Sequence, residues 1–335
     1  MPATLTPSQT SFLPEVTPIP SNVPVLSGPI SPSNAENLSL IQQHVFSPWD
    51  LVHAITWSPD GKRLAVAAGE NVLFFDPNSL QEIITLNPGV WTPDIAFSPK
   101  SNLIATGSRD GNISLWDAHT GEKQFIIEAH RKGVNSLTFN PQGQLLASGG
   151  NDAVARLWEI ETGNNVGQMI GGTYAVPAIA FTPDGNSLAI VNGQVIRLRD
   201  VESSRFVITI NGDDSFNTID ISPDGNSLAA GDSVNVVTLW DISGSGLTET
   251  PILMLEAPNQ PKKLVWEVIY SPDGQILASA HNNGDVYLWE VSTGKMLASL
   301  IGPTKATTSL AFSPDGKYLA TGSLDGTLSL WAVVP

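Results

Sequence analysis

The sequence predicts an all-β fold that is built from seven copies of one repeat. The last copy, residues 310–331, reads as an alternating strand, a Ser-Pro-Asp-Gly turn, a second strand, an Asp-Gly turn and a third strand ending in Leu-Trp. A repeat of about 40 to 45 residues with four short strands is typical of one blade of a β-propeller. We therefore expect a seven-bladed β-propeller of four-stranded antiparallel blades. The prolines that mark the repeats are Pro59, Pro99, Pro141, Pro183, Pro223, Pro272 and Pro314.

The first turn of each repeat has a clear chemical basis. In the last repeat, Pro314 sets φ for the second turn position, and the carboxylate of Asp315 is able to bond its own backbone. Gly316 follows and takes the positive φ that a residue with a Cβ resists. This turn reverses the chain between the first and second strands of the blade.

The third strand ends in the largest side chain of the repeat. The length of the repeat, its Asp-Gly turn and its terminal Trp, which Asp follows in blades two and five, resemble the WD40-repeat family. Phe75 and Arg199 stand at the Trp position in blades one and four, which makes those two repeats degenerate. The remaining five blades are expected to use this side chain as a wedge, namely Trp116, Trp158, Trp240, Trp289 and Trp331.

The two ends of the chain are predicted to differ in structure. Residues 1–34 contain eight prolines, many Ser and Thr and no Lys or Arg, so they are expected to form a disordered tail or tether before a propeller of residues 35–335. Such a tether, if it follows a removed signal, would place the protein outside the cytoplasm, and otherwise a cytoplasmic location is expected. The seventh repeat stops after its third strand, and residues 37–44 resemble a fourth strand. We expect them to close the last blade.

Composition excludes several classes of function. The chain has 16 Lys and Arg against 32 Asp and Glu, a formal net charge of −16, which argues against binding nucleic acid. It has no cysteine, so disulfides, thiolate metal sites and thiol nucleophiles are excluded. No apolar run reaches the 18 residues of a membrane span, and no membrane insertion is expected. We predict no cofactor and no metal, and we expect a monomer.

Two polar groups suggest chemistry but have simpler explanations. The resemblance implies a structural hydrogen-bond tetrad that only blade three completes, with His130, Ser148, Asp152 and Trp158. The first three also look like a base, nucleophile and orienting group, but we favour the structural interpretation because no catalytic motif accompanies them. The acidic pair at residues 213–214 lies in a loop, where solvated carboxylates are expected more often than a cation site.

The candidate binding residues follow from the resemblance. It implies that the residues four and six positions before the first-strand aromatic, with the residue before the second-turn Asp, line the entrance of the central channel on the top face. Several extra aromatics precede first strands, and Trp91 and Trp266 are the strongest candidates because exposed Trp is common in binding hot spots. The predicted partner-binding residues are Trp49, Leu51, His53, Trp91, Pro93, Arg109, Asn135, Asn151, Tyr174, Phe216, Asn217, Trp266, Asn282, Thr308 and Leu324.

These observations favour a non-enzymatic scaffold that binds a protein or peptide on its top face. The alternatives are a sensor domain for a small ligand and a propeller enzyme, each with its site in the central channel. Three or more Asp, Glu, His or Arg side chains converging on a deep channel pocket would favour either alternative. The sequence places mainly Asn, Thr, Pro and Ala at the expected channel positions.

Overall fold

The structure is a computed structural model that describes residues 26–170, 172–244, 246–248, 250–257, 264–302 and 305–335. Within these ranges the strands form seven sheets, and the first strands of successive sheets contact one another until the seventh meets the first. This closed arrangement confirms the predicted seven-bladed propeller. No helix in the described part of the chain is both long and apolar enough to cross a membrane.

A 3-10 helical turn at Ala35–Asn37 precedes the strands. In chain order the described strands are β1 (Leu38–Val45), β2 (Val52–Trp57), β3 (Leu64–Ala68), β4 (Asn71–Phe75), β5 (Glu82–Leu86), β6 (Asp94–Phe97), β7 (Leu103–Gly107), β8 (Asn112–Asp117), β9 (Lys123–Glu128), β10 (Val134–Phe139), β11 (Leu145–Gly150), β12 (Val154–Glu159), β13 (Asn165–Ile170), β14 (Ile179–Phe181), β15 (Ser187–Asn192), β16 (Val195–Asp200), β17 (Phe206–Asn211), β18 (Phe216–Ile221), β19 (Ser227–Asp232), β20 (Val236–Asp241), β21 (Gly246–Thr248), β22 (Leu253–Glu256), β23 (Val265–Tyr270), β24 (Ile276–His281), β25 (Val286–Glu290), β26 (Met296–Leu300), β27 (Thr307–Phe312), β28 (Tyr318–Ser323) and β29 (Thr327–Val333).

The strands of each blade run outward from the centre of the ring in sequence order. Blades one to four consist of β2–β5, β6–β9, β10–β13 and β14–β17, and blade six consists of β23–β26. Blade five uses β18, β19, β20 and β22, and the short strand β21 instead pairs in parallel with the outer strand β17 of blade four. At the predicted first turn, Gly316 has φ of 69°, as the turn chemistry requires.

Blade seven is completed by the start of the described chain. Strand β1 pairs antiparallel with β29, and its register places Leu40 opposite Trp331 and Val45 opposite Thr327. This confirms the predicted closing strand. The pairing joins the first and last strands of the ring, so that β29 has no open edge.

The last part of the predicted tail is docked on the propeller. The amide of Ser27 donates to the carbonyl oxygen of Val333 at 3.0 Å, and the amide of Ile30 donates to that of Gly316 at 2.9 Å. Ile30 is 1% exposed and belongs to a core cluster with Ile276 and Leu288. These contacts correct the prediction for residues 26–34, since Pro and Ser content does not reveal one apolar anchor. Residues 1–25 lie outside the described residues.

The docked anchor leads to a truncation prediction. Removal of residues 1–25 is expected to leave the melting temperature almost unchanged, whereas Ile30→Ala should destabilise the fold by about 2 to 4 kcal/mol through the cavity it creates. Chemical denaturation of both variants measures the effect. The exposed outer-strand change Ile126→Ala serves as the control for loss of an isoleucine. An Ile30→Ala variant as stable as this control would contradict the anchoring role.

The wedge positions pack between neighbouring blades as predicted. Trp158 is 5% exposed and lies in one cluster with Ala105 and Ile113 of blade two. In blade four the wedge position holds Arg199, whose guanidinium carbon lies 4.0 Å from the ring centroid of Phe206. The cation–π contact keeps this charged group against an aromatic surface at the position where blade one has Phe75 and the other five blades have Trp.

Candidate functional site

The first strands of the seven blades surround a cavity of about 870 Å³ at the centre of the ring. Its lining includes residues of the loops that precede these strands and residues of the strands themselves. Most of the predicted top-face residues line it, which places them around one opening, hereafter the channel mouth. The predicted residues that line it are Leu51, His53, Trp91, Pro93, Asn135, Asn151, Asn217, Trp266, Thr308 and Leu324.

The other five predicted residues lie away from the cavity lining. Trp49 is 88% exposed and Tyr174 is 66% exposed, so both are free for contact outside the cavity. Arg109 and Asn282 contact the two channel-mouth tryptophans described below. Phe216 is a correction: it is 4% exposed and meets Trp240 edge-to-face at 5.5 Å, so it belongs to the core. Its sequence position could have shown this, because Phe216 lies five residues before Ile221, and Val52, Val134 and Val265 at the matching place in other blades are all buried.

Trp91 is held by two neighbours at the channel mouth. The ring of His53 meets it edge-to-face with centroids 4.5 Å apart, and the guanidinium carbon of Arg109 lies 4.5 Å from its ring centroid. Burial lowers the pKa of His53 to about 4, so this imidazole is neutral near pH 7. The indole Nε1 of Trp91 is buried and has no hydrogen-bond partner among the described residues.

Polar side chains fix the rest of the channel mouth. Trp266 donates its Nε1 hydrogen to Oδ1 of Asn282 at 3.2 Å, which orients the indole. Asn135 donates from Nδ2 to Oδ1 of Asn151 at 3.1 Å, and the hydroxyl of Thr308 donates to the carbonyl oxygen of a neighbouring strand at 2.7 Å. Most of the polar rim is therefore preorganised by bonds within the ring.

Three carboxylates line the cavity below the channel mouth, and sequence reasoning missed them. Asp94, Asp220 and Glu267 lie on the first strands of blades two, five and six. Asp94 and Glu267 occupy the position three residues before the first-strand aromatic, where blades three and seven have Ser136 and Ser309. This contrast of charge within one repeat position is the sequence signal that would have revealed Asp94 and Glu267.

Each carboxylate also fastens its blade to the next one. Asp94 accepts a hydrogen bond from the amide of Leu137 at 2.6 Å, and Asp220 accepts one from the amide of Tyr270 at 2.7 Å. Glu267 accepts one from the amide of Leu310. Serine hydroxyls make the same link between other blades, so the carboxylates are partly structural. Within the described ranges, no three His, Asp or Glu side chains are close enough together to hold a metal ion.

Burial changes the proton affinity of these groups. It raises the pKa of Glu267 to about 8, that of Asp94 to about 7 and that of Asp220 to about 6, although backbone amide donors oppose the effect. The negative charges of Asp94 and Asp220 raise the pKa of Glu267 further. The cavity therefore gains negative charge as the pH rises from about 6 to 8.

This charge makes stability depend on pH in a defined direction. The folded-state pKa of Glu267 is raised above its usual value of 4.5. The contribution of the protonated side chain to the free energy of unfolding is therefore fully present below pH 4.5 and is lost as the pH rises toward about 8. Glu267→Gln keeps an acceptor for Leu310 and removes the ionisation. The variant should match the wild type at pH 5 and melt at a higher temperature at pH 8.5. Glu256→Gln on an exposed outer strand is the control. Equal melting differences at both pH values would contradict the assignment.

The predicted tetrad in blade three is assembled as a structural network. Trp158 donates to the Ser148 hydroxyl at 2.9 Å, and that hydroxyl lies 2.8 Å from Nε2 of His130. His130 Nδ1 lies 2.8 Å from Asp152, which also accepts from Arg156 at 2.8 Å. These bonds hold the pKa of Asp152 below its usual value, although burial opposes them. Ser148 is 0% exposed, so no substrate reaches this hydroxyl in the structure, and the structural interpretation is favoured.

Blade six builds a related network with a histidine that sequence reasoning did not select. Trp289 donates to the hydroxyl of Ser279 at 2.8 Å, and this hydroxyl lies 2.8 Å from Nε2 of His281. The other ring nitrogen of His281 lies 2.6 Å from Oδ1 of Asn235 in blade five. This histidine comes from the second strand, not from the preceding loop, so the family pattern does not predict it.

Comparison with known families agrees with this geometry. The family model described as "WD domain, G-beta repeat" matches residues 88–117, 121–159 and 294–332. A second model, "Anaphase-promoting complex subunit 4 WD40 domain", matches residues 247–308. With the seven blades of the structure, these repeats identify the chain as a WD40-repeat β-propeller.

Curated relatives share the repeats at low identity. "COMPASS component SWD3" of Saccharomyces cerevisiae is 26% identical over 263 residues, which cover 74% of this chain and 70% of that protein. "Protein TOPLESS-RELATED PROTEIN 2" of Oryza sativa is 36% identical over 93 residues, or 26% of this chain and 8% of that protein. The "66 kDa stress protein" of Physarum polycephalum is 26% identical over 119 residues, or 33% of this chain and 19% of that protein. The alignments thus span only small parts of the last two relatives.

Proposed function

We propose that this propeller is a monomeric, non-enzymatic scaffold that binds a protein or peptide segment at the channel mouth. The observation that carries the proposal is the placement of Trp91 and Trp266 on the lining of one cavity at the centre of a rigid ring. Both indoles are partly exposed and are oriented by neighbouring side chains. Preorganised aromatic side chains lose little conformational entropy on binding, which suits them to anchor a partner.

The surroundings of the two indoles have the composition of an interaction surface. Leu51 and Leu324 add apolar area at the cavity edge, and Asn135 and Asn151 add polar groups beside it. An apolar centre with a polar rim is the usual arrangement of a protein interface. The exposed Trp49 extends the available surface beyond the cavity.

The relatives support a scaffold role. SWD3 is named as a component of a complex, and its alignment covers most of both chains. The same fold also hosts small-ligand sites, and the cavity volume of about 870 Å³ falls within the range of small-molecule pockets. The three buried carboxylates favour this second candidate, a small-ligand sensor, more than the sequence alone did. The same three carboxylates also meet the condition stated above for a propeller enzyme, which stays a third candidate.

The scaffold proposal predicts that binding and stability respond differently to substitution of the channel-mouth tryptophans. Trp91→Ala and Trp266→Ala should each weaken binding of a captured partner at least tenfold, as expected of hot spots. Their melting temperatures should fall much less than that of Trp158→Ala, because the two indoles are not wedged between blades. The measurement is the dissociation constant of a purified partner, identified first by capture and then tested with each variant.

The matched control for this experiment is Ile126→Ala, which removes an exposed apolar side chain from the outer strand of blade two. It should bind the partner as the wild type does. Trp49→Ala tests whether the interface extends beyond the cavity. Wild-type binding by both Trp91→Ala and Trp266→Ala would overturn the channel mouth as the partner site.

A further inference from the structure

We propose that a second pocket, between the turns of blades one and two, binds the phosphate group of a small organic phosphate. This pocket, hereafter the turn pocket, has a volume of about 610 Å³. It is lined by residues of the first turns of both blades and by Ala118 and His119, which follow β8. The first turns come after strands β2 and β6, whereas the channel mouth lies where those strands begin, so the two sites are separate.

The turn pocket brings basic side chains together in an acidic protein. Arg63, Lys100 and His119 line it, and Asp60 is the one carboxylate among its lining residues in the described chain. Arg63 is the only basic residue at its repeat position, and the residues that match His119 in blades three and four are glutamates. Lys100 stands where five other repeats have an acid, namely Asp60, Asp184, Asp224, Asp273 and Asp315. Three separate departures from the repeat thus meet at one pocket.

Hydrogen bonds between the two blades fix the side chain of Arg63. Its Nη1 donates to the carbonyl oxygen of Ala118, and its Nη2 donates to Nδ1 of His119 at 3.0 Å. These bonds use two of the five guanidinium N–H groups, and the others have no partner within the described ranges. Because Nδ1 of His119 accepts, the hydrogen of the ring is on Nε2, which is a further donor.

The basic groups of the turn pocket are not neutralised by neighbouring acids. Neither Arg63 nor Lys100 forms an ion pair with a carboxylate in the part of the chain that the structure describes. Asp60 is already occupied, since one oxygen accepts from the Ser58 hydroxyl at 2.7 Å and from the Lys62 amide at 3.1 Å. The ammonium of Lys62 lies 3.8 Å from its other oxygen. An anion would therefore bind here without breaking an existing ion pair.

The number of free donors favours a phosphate over a carboxylate. A phosphate monoester carries a charge of about −1.5 to −2 at pH 7 and has three terminal acceptor oxygens. Arg63 and Lys100 supply two positive charges, and His119 adds a hydrogen-bond donor. A carboxylate has one negative charge and two oxygens, so it would leave one charge and one donor unmatched.

The walls of the turn pocket favour a small organic ligand. Pro59, Phe97 and Pro99 place apolar surface beside the basic groups, where the carbon skeleton of a phosphate monoester would pack. The volume of about 610 Å³ falls within the range of small-molecule sites. None of the large, exposed apolar side chains of the described residues lines this pocket, so it lacks the anchors on which protein interfaces depend.

The test uses phenyl phosphate as the probe and measures its dissociation constant by calorimetry. Inorganic phosphate lacks the apolar group, benzoate replaces the phosphate with a carboxylate, and phenol lacks the charge. We expect saturable binding of phenyl phosphate and weaker binding of each of the other three. The affinity for phenyl phosphate should fall as the salt concentration rises, because the contact joins charges near the protein surface.

Two variants use residues that the repeat itself accepts at these positions. Lys100→Asp supplies the Asp of five other blades, so the fold should be kept, and it should weaken phenyl phosphate binding by about tenfold or more. His119→Asn supplies the equivalent of Asn78 in blade one and should weaken binding by a smaller factor. The control is Lys295→Asp, which makes the same change of charge on an exposed turn of blade six and should bind as the wild type does.

Several results would overturn the phosphate site. They are no saturable binding of phenyl phosphate, benzoate or inorganic phosphate bound as tightly as phenyl phosphate, or a folded Lys100→Asp variant with wild-type affinity. Trp91→Ala should bind phenyl phosphate unchanged, and a loss there would show that the probe occupies the channel mouth instead. Because the two sites are tested with different ligands and variants, failure of one proposal leaves the other standing.

Discussion

Deletion of residues 1–45 is expected to cost most of the stability of the propeller, whereas deletion of residues 1–25 is not. The longer deletion removes β1, so blade seven loses its outer strand and β29 becomes an open edge. Domains of this kind are stable by only about 5 to 15 kcal/mol, and the lost pairing and burial are expected to amount to about 5 kcal/mol or more. The melting temperature and the size-exclusion profile report the effect, and association through the exposed edge should accompany it.

A peptide of residues 26–45, added to the shortened protein, is the control for this deletion. It supplies β1 and the Ile30 anchor without a covalent connection, and it should restore both monomeric size and thermal stability. The same peptide with its residues in scrambled order should restore neither. A deletion variant that remains monomeric with unchanged melting would show that the ring does not depend on this closure.

Replacement of Trp158 is the second change with a large expected effect. Trp158→Ala removes the wedge between blades two and three and should destabilise the fold by about 3 to 5 kcal/mol. It also removes the bond that the buried hydroxyl of Ser148 accepts from the indole, while the contact of that hydroxyl with His130 is unchanged. Chemical denaturation of the variant, with the slope of the transition compared to that of the wild type, measures the loss.

A pair of phenylalanine variants separates packing from hydrogen bonding. Trp158→Phe loses the bond to Ser148. In blade five the residue at the matching position is Ala230, which packs in one cluster with Trp240 and has no hydroxyl, so Trp240→Phe loses no such bond. The first change should therefore cost about 1 to 3 kcal/mol more than the second, the usual penalty of an unsatisfied buried group. Equal losses would mean that the network of blade three adds nothing beyond packing.

The fold could be predicted from the sequence because the turns, the strands and the wedge tryptophan all indicated the same repeat. Turn chemistry at Pro314 and Gly316, strand alternation and a wedge tryptophan all recur in one period, so local and global signals indicated the same blade. The channel mouth followed from fixed offsets within that repeat. Trp91 and Trp266 line the cavity because a rigid first strand fixes the position of each offset, and their role in binding stays a prediction.

The errors have different physical causes. Phe216 lies one residue off the offsets of Trp91 and Trp266, and strand alternation turns it to the core face, where it packs against Trp240. Ile30 was hidden in a proline-rich segment, where average composition conceals a single buried side chain. Asp94 and Glu267 were not predicted, because Asp and Glu side chains are rarely buried in proteins. Other repeats have serine at the same position.

The parallel strand β21 makes the outer edge of blade four different from the outer edges of the other blades. Its backbone covers the outer side of β17 from Ile208 to Ile210, so the chain itself occupies the edge of blade four. A strand of a neighbouring molecule therefore cannot pair with this stretch of β17. It would have to pair with the outer strand of another blade. The seven outer strands are thus not equivalent for edge-to-edge pairing between copies of the protein. Any assembly through these edges would have to leave out the covered stretch of blade four.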